Sequence, residues 1–175
     1  MQRDQDILYR FEAQVGYHPV GVVPEGLRIT VPFEGRITAG RLMDGPYRRA
    51  RVWGIDHLLL RRDGVGVIDA PKTVSAGDRH FFEHVRGYCL PPAGLALPPL
   101  EAILAPDFRW PDLLFAIHGF SQFRTADPEL QDLNRAHAVI DGWASFASGQ
   151  LVIETRLVEH RAKVAGPPPV MAGAR

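Results

Sequence analysis

Apolar and polar side chains alternate along much of the chain, beginning near its start. In residues 7–15 every odd position is apolar and most even positions are polar. A helix with Leu8, Phe11 and Val15 on one side is the competing interpretation. The period of two fits more positions, so this segment is predicted to be a half-buried strand.

Similar strand patterns recur along the chain, separated by turn signals. They cover residues 26–35, 35–54 (a strand pair with an irregular turn), 53–70, 72–89 (turning near Gly77 and Asp78), 113–126 and 150–160. Pro32 is predicted to mark an edge or a bulge, since proline cannot donate to a ladder. Many short strands with few helices indicate an all-β sandwich or barrel. Several strands are apolar on both faces, which favours a closed antiparallel barrel whose outside is covered, for example by a partner subunit.

Two segments are predicted to differ from this strand pattern. Residues 91–111 are rich in proline and are interpreted as a long ordered loop or a short helix within one. Loops of this length often act as lids or binding loops. Asp127 is predicted to cap a helical turn that has Pro128 at its first position.

Residues 53–70 contain the clearest hairpin signal. Two apolar runs flank Asp63-Gly64, a dipeptide that favours a two-residue type I′ turn. That turn predicts the cross-strand pairs Arg62–Val65, Leu60–Val67 and Leu58–Asp69. In this register Asp56 and Asp69 share one face as diagonal neighbours, with Cα atoms about 7–8 Å apart.

These two carboxylates are the main candidates for chemistry. If their face lines the barrel, burial and mutual repulsion raise the pKa of one acid. One of them then gives a proton while the other takes one. Three alternatives remain open: the pair faces solvent, each acid caps a loop, or each pairs with an arginine. A slip of one residue would also place Asp69 on the opposite face from Asp56.

Residues 80–84, "HFFEH", match the H-x-x-E-H pattern of inverted zinc peptidases. The pattern binds zinc only on a helix, where the two histidines are neighbours. On a strand His80 and His84 lie about 13 Å apart, too far for one metal ion. The surrounding residues favour a strand, so no metal is predicted.

His118, Arg124 and Arg28 are weaker candidates. His118 and Arg124 have the same parity on one predicted strand and therefore share a face. His118 is interpreted first as a hydrogen-bonded core histidine and second as a base. Each arginine either binds an anionic group of a ligand or neutralises an internal acid. The chain has no P-loop, Rossmann fingerprint or nucleophile elbow, so no cofactor is predicted.

Composition limits the class of protein. A length of 175 residues fits one domain, predicted over residues 1–160, with a disordered Pro/Gly/Ala-rich tail over 161–175. Twenty basic and twenty acidic residues leave no net charge, so the footprint of a nucleic-acid binder is absent. The single Cys89 rules out an intrachain disulfide. No signal peptide or membrane span is recognised, which predicts a cytoplasmic protein with no membrane partner.

The segments "GLRITVPFEG", "GIDHLLLRRDGVGVIDA" and "FRTADPELQDLN" together resemble the DUF3237 (UPF0311) family. The resemblance implies a small calycin-like or lipocalin-like barrel with one or two short helical turns, associating as a homodimer. The family positions that match are Arg28, Asp56, Asp69, Arg124 and Asn134. His57 and Pro71 depart from the family pattern, and the 91–111 loop is particular to this chain.

Three functional hypotheses follow. The first is a cofactor-independent isomerase, cyclase or lyase acting on a small apolar or aromatic molecule. In it Asp56 and Asp69 are acid and base, and the ligand-binding residues are Arg28, His118, Arg124 and Asn134. The second is a non-catalytic barrel that binds a small organic ligand, and the third is a structural or interaction protein with a filled core.

Overall fold

Nine antiparallel strands form most of the chain in the computed structural model, which describes residues 7–158. The strands are β1 Ile7–Val15, β2 His18–Val23, β3 Gly26–Ala39, β4 Arg51–Arg61, β5 Gly66–Ala76, β6 Arg79–Leu90, β7 Phe115–Arg124, β8 His137–Ser145 and β9 Gln150–Leu157. One α-helix, α1 (Leu100–Ile103), and two 3-10 segments, Arg41–Asp44 and Pro128–Arg135, lie in the connections. The predicted 161–175 tail lies outside the described residues.

The strands close into a barrel. Their order around the sheet is β1-β9-β8-β7-β6-β5-β4-β3, and β1 also pairs with β3, so eight strands form a ring and β2 extends it along β3. The predicted all-β antiparallel barrel is therefore confirmed. Burial alternates along the eight strands of the ring, and one face of each contributes to a continuous apolar core.

The closure between β1 and β3 depends on a close approach of the two backbones. A Cβ atom at Gly35 would lie 1.9 Å from the carbonyl oxygen of Glu12. Pro32 lies where β3 changes partner, between the β2 pairs that end at Thr30 and the β1 pairs that begin at Phe33. A residue without an N–H is tolerated at this break in pairing.

Strand β2 was not predicted. Its residues are mostly exposed and show no alternation of burial, so the period-two signal is missing. Backbone pairing with β3, which the local sequence does not encode, brings the segment into the sheet.

The predicted 91–111 loop covers one end of the barrel. It contains both an irregular path and a short helix, α1, whose Leu100 and Ile103 are buried. Beyond the helix, the Trp110 ring lies 5.5 Å from the ring of Tyr17 and 5.3 Å from that of Phe146, between ring centroids. This end of the barrel is thus closed by aromatic side chains.

The opposite end is closed around Asp127, the predicted cap. Its carboxylate accepts an N–H from Glu129 (3.0 Å), a hydroxyl from Tyr47 (2.8 Å) and two N–H groups from Arg79 (2.7 Å each). Hydrogen bonds from Arg79 hold the pKa of Asp127 well below its usual range. Asn134 also lies at this end. Its Oδ1 accepts a hydrogen bond from the Thr125 N–H, and its Nδ2 donates to the Thr125 carbonyl oxygen (2.8 Å each).

The predicted register of the β4–β5 hairpin is wrong by one residue. Arg61 N–H donates to the Val65 carbonyl oxygen, so the loop contains three residues, 62–64. Gly64 adopts a φ of 85°, as expected for a type I turn followed by a left-handed residue. Leu59 therefore pairs with Val67, where the two-residue turn would have placed Leu60.

Candidate functional site

A small cavity lies inside the barrel. Its volume is about 60 Å³, several times what one water molecule needs and well below a drug-sized pocket. Apolar side chains form most of its wall, including Phe11, Phe33, Leu58, Ile117 and Ile153. Among the lining residues, those with polar side-chain groups are Asp56, Lys72 and Cys89.

Asp56 belongs to the inward face of β4. The alternation of this strand turns Asp56 toward the core together with Val52 and Leu58. Burial, with a smaller contribution from the charge of Asp69, raises the pKa of Asp56 from 3.8 to about 7. The carboxyl group therefore exchanges a proton close to neutral pH.

The Asp56 carboxyl group lies at a break in the backbone pairing between β4 and β5. The two strands pair on either side of residues 55–58 and 68–71, but those two stretches are not paired with each other. Pro71 lies in the break and has no N–H to contribute. The Asp69 N–H donates to Oδ1 of Asp56 over 2.9 Å, which partly opposes the rise in pKa.

Lys72 and Glu83 form a second polar group in the interior. They are cross-strand partners on β5 and β6, and their side chains are 2% and 0% exposed. Lys72 Nζ lies 3.2 Å from Glu83 Oε1, and the Tyr9 hydroxyl donates to Glu83 Oε2. Burial lowers the pKa of the Lys72 amine, and the Glu83 carboxylate opposes that shift. Burial and the nearby Glu83 charge also raise the pKa of Tyr9.

Cys89 does not provide a nucleophile at this cavity. Its thiol is buried, and burial together with the charge of Asp56 raises its pKa to about 12. Because the thiolate is the reactive form, this thiol is inert near neutral pH.

Asp69 lies on the opposite side of the barrel wall from Asp56. The shifted register turns its side chain outward, where Oδ1 lies 2.6 Å from His84 Nε2 and 3.7 Å from Arg86 Nε. The hydrogen bond from His84 holds the pKa of Asp69 below its usual range. The prediction that both carboxylates share one face is therefore wrong, and they do not form an acid–base pair in one cavity.

Three other candidates also point outward. Arg28 is exposed on β3, and His118 and Arg124 are exposed on β7 and share a face as predicted. His118 is not a core histidine, because its side chain is 57% exposed, and its Nδ1 lies 2.9 Å from Oδ1 of the half-exposed Asp141. Arg124 donates to the carbonyl of its neighbour Phe123 (2.6 Å). None of the three lines the internal cavity.

Asn134 holds the main chain of Thr125 at the far end of the barrel and is likewise outside the cavity wall. The motif residues 80–84 belong to strand β6, where His80 and His84 are exposed and Glu83 is buried. Within residues 7–158, no group of three or more His, Cys, Asp or Glu side chains is arranged to hold a metal ion.

Sequence analysis missed the interior residues Tyr9, Lys72 and Glu83. The signal was present in the period of two. Glu83 alternates with Phe81 and Val85 on the apolar face of β6, and Lys72 has the same place between Ala70 and Val74 on β5. Burying a charged side chain costs folding free energy unless an opposite charge pairs with it. Each such residue on the buried face of a strand therefore predicts an oppositely charged partner on a neighbouring strand.

Fold and site together define a closed antiparallel β-barrel with a small internal cavity whose mostly apolar wall includes Asp56 and Lys72. Solved structures of other proteins have the same fold. A conserved protein of unknown function from Rhodopseudomonas palustris matches with a TM-score of 0.63 and 17% identity, over 88% of this chain and 96% of that one. A protein of unknown function from Clostridium acetobutylicum matches with a TM-score of 0.67 and 15% identity, over 87% and 97%. A β-barrel-like protein from Acinetobacter baumannii matches with a TM-score of 0.64 and 16% identity, over 88% and 94%.

Similarity at this level of identity extends to the fold alone. No family model matches the chain, and no curated protein has a matching sequence. Among the described residues, none of the helices has the length and apolar character needed to cross a membrane.

Proposed function

We propose that this barrel binds a small organic molecule in its internal cavity and moves a proton on it with Asp56. The observation that carries the proposal is a carboxyl group in an apolar cavity whose pKa lies at about 7. Such a group is protonated in part of the molecules and ionised in the rest, so it serves as acid or base without a cofactor. Isomerase, cyclase and lyase reactions are the classes that need this step.

The cavity wall limits the ligand. Aromatic and aliphatic side chains surround the space, which favours an apolar or aromatic molecule. A volume of about 60 Å³ accommodates only a small group while the barrel is closed. Larger ligands require the aromatic cover around Trp110 to move, because Phe146 both lines the cavity and packs on that ring.

A non-catalytic binding barrel is the second candidate. The small volume and the closed ends favour it, since turnover requires a substrate to enter and a product to leave. It needs the same cavity, but its ligand affinity would not follow the titration of Asp56.

Membership in the DUF3237 (UPF0311) family, a cytoplasmic location and a homodimer belong to the same proposal. The closed barrel supports family membership at the level of the fold, which is what the resemblance implies. The exposed aromatic residues Phe82, Tyr88 and Phe120 on the outside of the barrel support a second subunit.

The proposal is tested by small aromatic probes and by the titration of Asp56. Benzene and phenol need more space than the 60 Å³ of the closed cavity, so their binding requires the aromatic cover around Trp110 to move. We expect either probe to raise the melting temperature. We also expect the carboxyl carbon of Asp56 to titrate near pH 7 in an NMR experiment and to change its midpoint when the probe binds. The matched control is Ala144→Leu, which fills part of the cavity wall and should abolish the probe effect in a folded protein. A midpoint near pH 4 together with no stabilisation by any probe would contradict both binding and proton transfer.

A further inference from the structure

The chain has an unusual distribution of lysine. Of the twenty basic residues, two are lysines, Lys72 and Lys163, and the other eighteen are arginines. Arginine occupies nearly every basic position of the sequence, whereas a lysine occupies the barrel interior with a side chain that is 2% exposed. Lysine differs from arginine in that its amine loses its proton readily when buried and then acts as a nucleophile.

The amine is positioned against the cavity. Lys72 contributes to the cavity wall, and its Nζ lies 4.7 Å from the ring centroid of Phe11 and 5.2 Å from that of Tyr9. Glu83 lies 3.2 Å away, close enough to take the proton that an amine must lose before it attacks. Asp56 occupies the diagonal position from Lys72 on the inward face, because Gly54 is the direct partner of Lys72.

Stability alone gives no reason for this arrangement. Replacing a buried ion pair with apolar residues of similar volume is often neutral or stabilising, because desolvation offsets the attraction between the charges. An amine that faces away from a cavity would satisfy a purely structural role equally well. Here the amine and a titrating acid line one apolar cavity, and a proton acceptor, Glu83, lies 3.2 Å from the amine.

We infer that Lys72 is a nucleophile that forms an imine with a small aldehyde or ketone bound in the cavity. The inference rests on the proposed function because both need a ligand in the same space, and it names the substrate class as carbonyl compounds.

The steps balance without an external reagent. Lys72 passes a proton to the Glu83 carboxylate, and the free amine forms a C–N bond to the carbonyl carbon while the carbonyl π electrons move to oxygen. Asp56 protonates that oxygen and recovers a proton from the nitrogen, which leaves a carbinolamine. Protonated Glu83 then returns its proton to the hydroxyl, the C–O bond breaks, water departs and a protonated imine remains.

An imine at Lys72 gives Asp56 a role in proton transfer at the neighbouring carbon. A protonated imine withdraws electrons from the adjacent carbon and makes its proton easier to remove. Asp56, on the diagonal position, is the group available to remove or add that proton. Isomerisation of a carbonyl compound or cleavage of a bond to its α-carbon would follow.

Reductive trapping tests this inference on the full chain. The protein is incubated at pH 7 with propanal and sodium cyanoborohydride, and peptide mass spectrometry locates the secondary amine. We expect Lys72 to be modified at least about tenfold faster than Lys163, because an ordinary lysine has a pKa near 10.4 and is almost entirely protonated at this pH. The modification should be lost in a Lys72→Met, Glu83→Gln double variant, which leaves no unpaired buried charge and keeps an acceptor for Tyr9.

Two further measurements separate the outcomes. Asp56→Asn should slow formation of the trapped adduct, because Asp56 protonates the carbonyl oxygen and takes the proton from the nitrogen, but should not redirect it from Lys72, since the amine is intact. Benzene binding is measured in the same samples. If benzene binds and only Lys163 and the terminal amine are modified, the inference is overturned while the proposed cavity stands. If Lys72 stays unmodified and benzene does not bind, the inference and the proposed function are both overturned.

Discussion

Asp56 and Asp69 belong to the same hairpin, thirteen residues apart, yet their carboxyl groups differ in location and in pKa. Asp56 lies in an apolar cavity, and burial raises its pKa to about 7. Asp69 lies outside, and the His84 hydrogen bond lowers its pKa. The Asp69 main-chain N–H donates to the Asp56 carboxyl group, and the charge of the Asp69 side chain contributes to the raised pKa of Asp56. At the residue scale, the chemistry of each carboxyl group is set by the side of the barrel wall on which it lies.

The raised pKa of Asp56 predicts a specific dependence of stability on pH. A carboxyl group whose pKa is higher in the folded state favours folding while it is protonated, below about pH 4, and this contribution is lost as the pH rises through 7. Asp56→Asn should therefore gain stability relative to the native protein between pH 5 and pH 8, by up to a few kcal/mol at about 1.4 kcal/mol per pKa unit. Urea unfolding of both proteins across this range measures the difference. A difference that stays constant with pH would show that Asp56 titrates normally.

The turn between β4 and β5 is the element on which the site depends. A loop of three residues turns Asp56 inward and Asp69 outward, whereas a loop of two would have turned both the same way. Gly64 permits this loop because its φ of 85° is unfavourable for residues with a Cβ atom. The break at Pro71 then leaves room for the Asp56 carboxyl group in the wall.

Gly64→Ala should lower the free energy of unfolding by about 1 kcal/mol, since a left-handed conformation costs alanine roughly that amount. Gly64→Asn should cost less, because asparagine tolerates this conformation. Gly45→Ala is the matched control, since Gly45 has an extended backbone and open space around its Cα. Chemical denaturation of the three variants tests the prediction. Equal stability of Gly64→Ala and the native protein would contradict the assigned turn.

At the scale of the whole molecule, the outside of the barrel has the features of a subunit contact. Phe82, Tyr88 and Phe120 on β6 and β7 are 51%, 52% and 55% exposed. Val139 extends the row, because Phe120 pairs with it across β7 and β8. Tyr88 lies diagonally from Phe120, since Phe120 pairs with Arg86, and Phe82 lies farther along β6 opposite Arg124. Exposed aromatic residues on one sheet face are typical of interaction surfaces. We therefore predict a homodimer formed through this face.

Sedimentation analysis tests the dimer. The native protein should sediment at twice the mass of one chain, and Phe120→Arg should shift it to the mass of one chain by placing a charge in the contact. Val20→Arg is the control, since Val20 is 71% exposed on β2, on a different part of the barrel. A native protein that sediments as a single chain at micromolar concentration would disprove the homodimer.

Local patterns determined most of the elements of this fold. The period of two predicted β1, and the strand pair on either side of Gly77 was located correctly because its turn residues interrupt the alternation. The predicted division at Gly35, between a strand over 26–35 and a strand pair over 35–54, was wrong, since β3 continues through Gly35 to Ala39. The cap at Asp127 was also predictable, since its chemistry involves neighbours in sequence. Strand β2 was not, because its order comes from pairing with β3 and from no pattern of its own.

The candidate site was only partly predictable. Asp56 was identified from the sequence as an acid within an apolar strand, which needs no knowledge of distant residues. Its partners were not, because one residue of register reverses the face of a whole strand. The pairing of Lys72 with Glu83 and of Glu83 with Tyr9 joins residues far apart in the chain.

By itself, then, the sequence determined that the chain is an all-β barrel with a carboxyl group in one of its apolar strands. Alternation and turn residues act locally, so strands and turns can be predicted from one short segment at a time. Only the tertiary structure decided which side of the wall each carboxyl group faces and which charges meet in the interior. The physical reason is that register and barrel closure depend on backbone hydrogen bonds between strands, and these form only when the whole sheet is assembled.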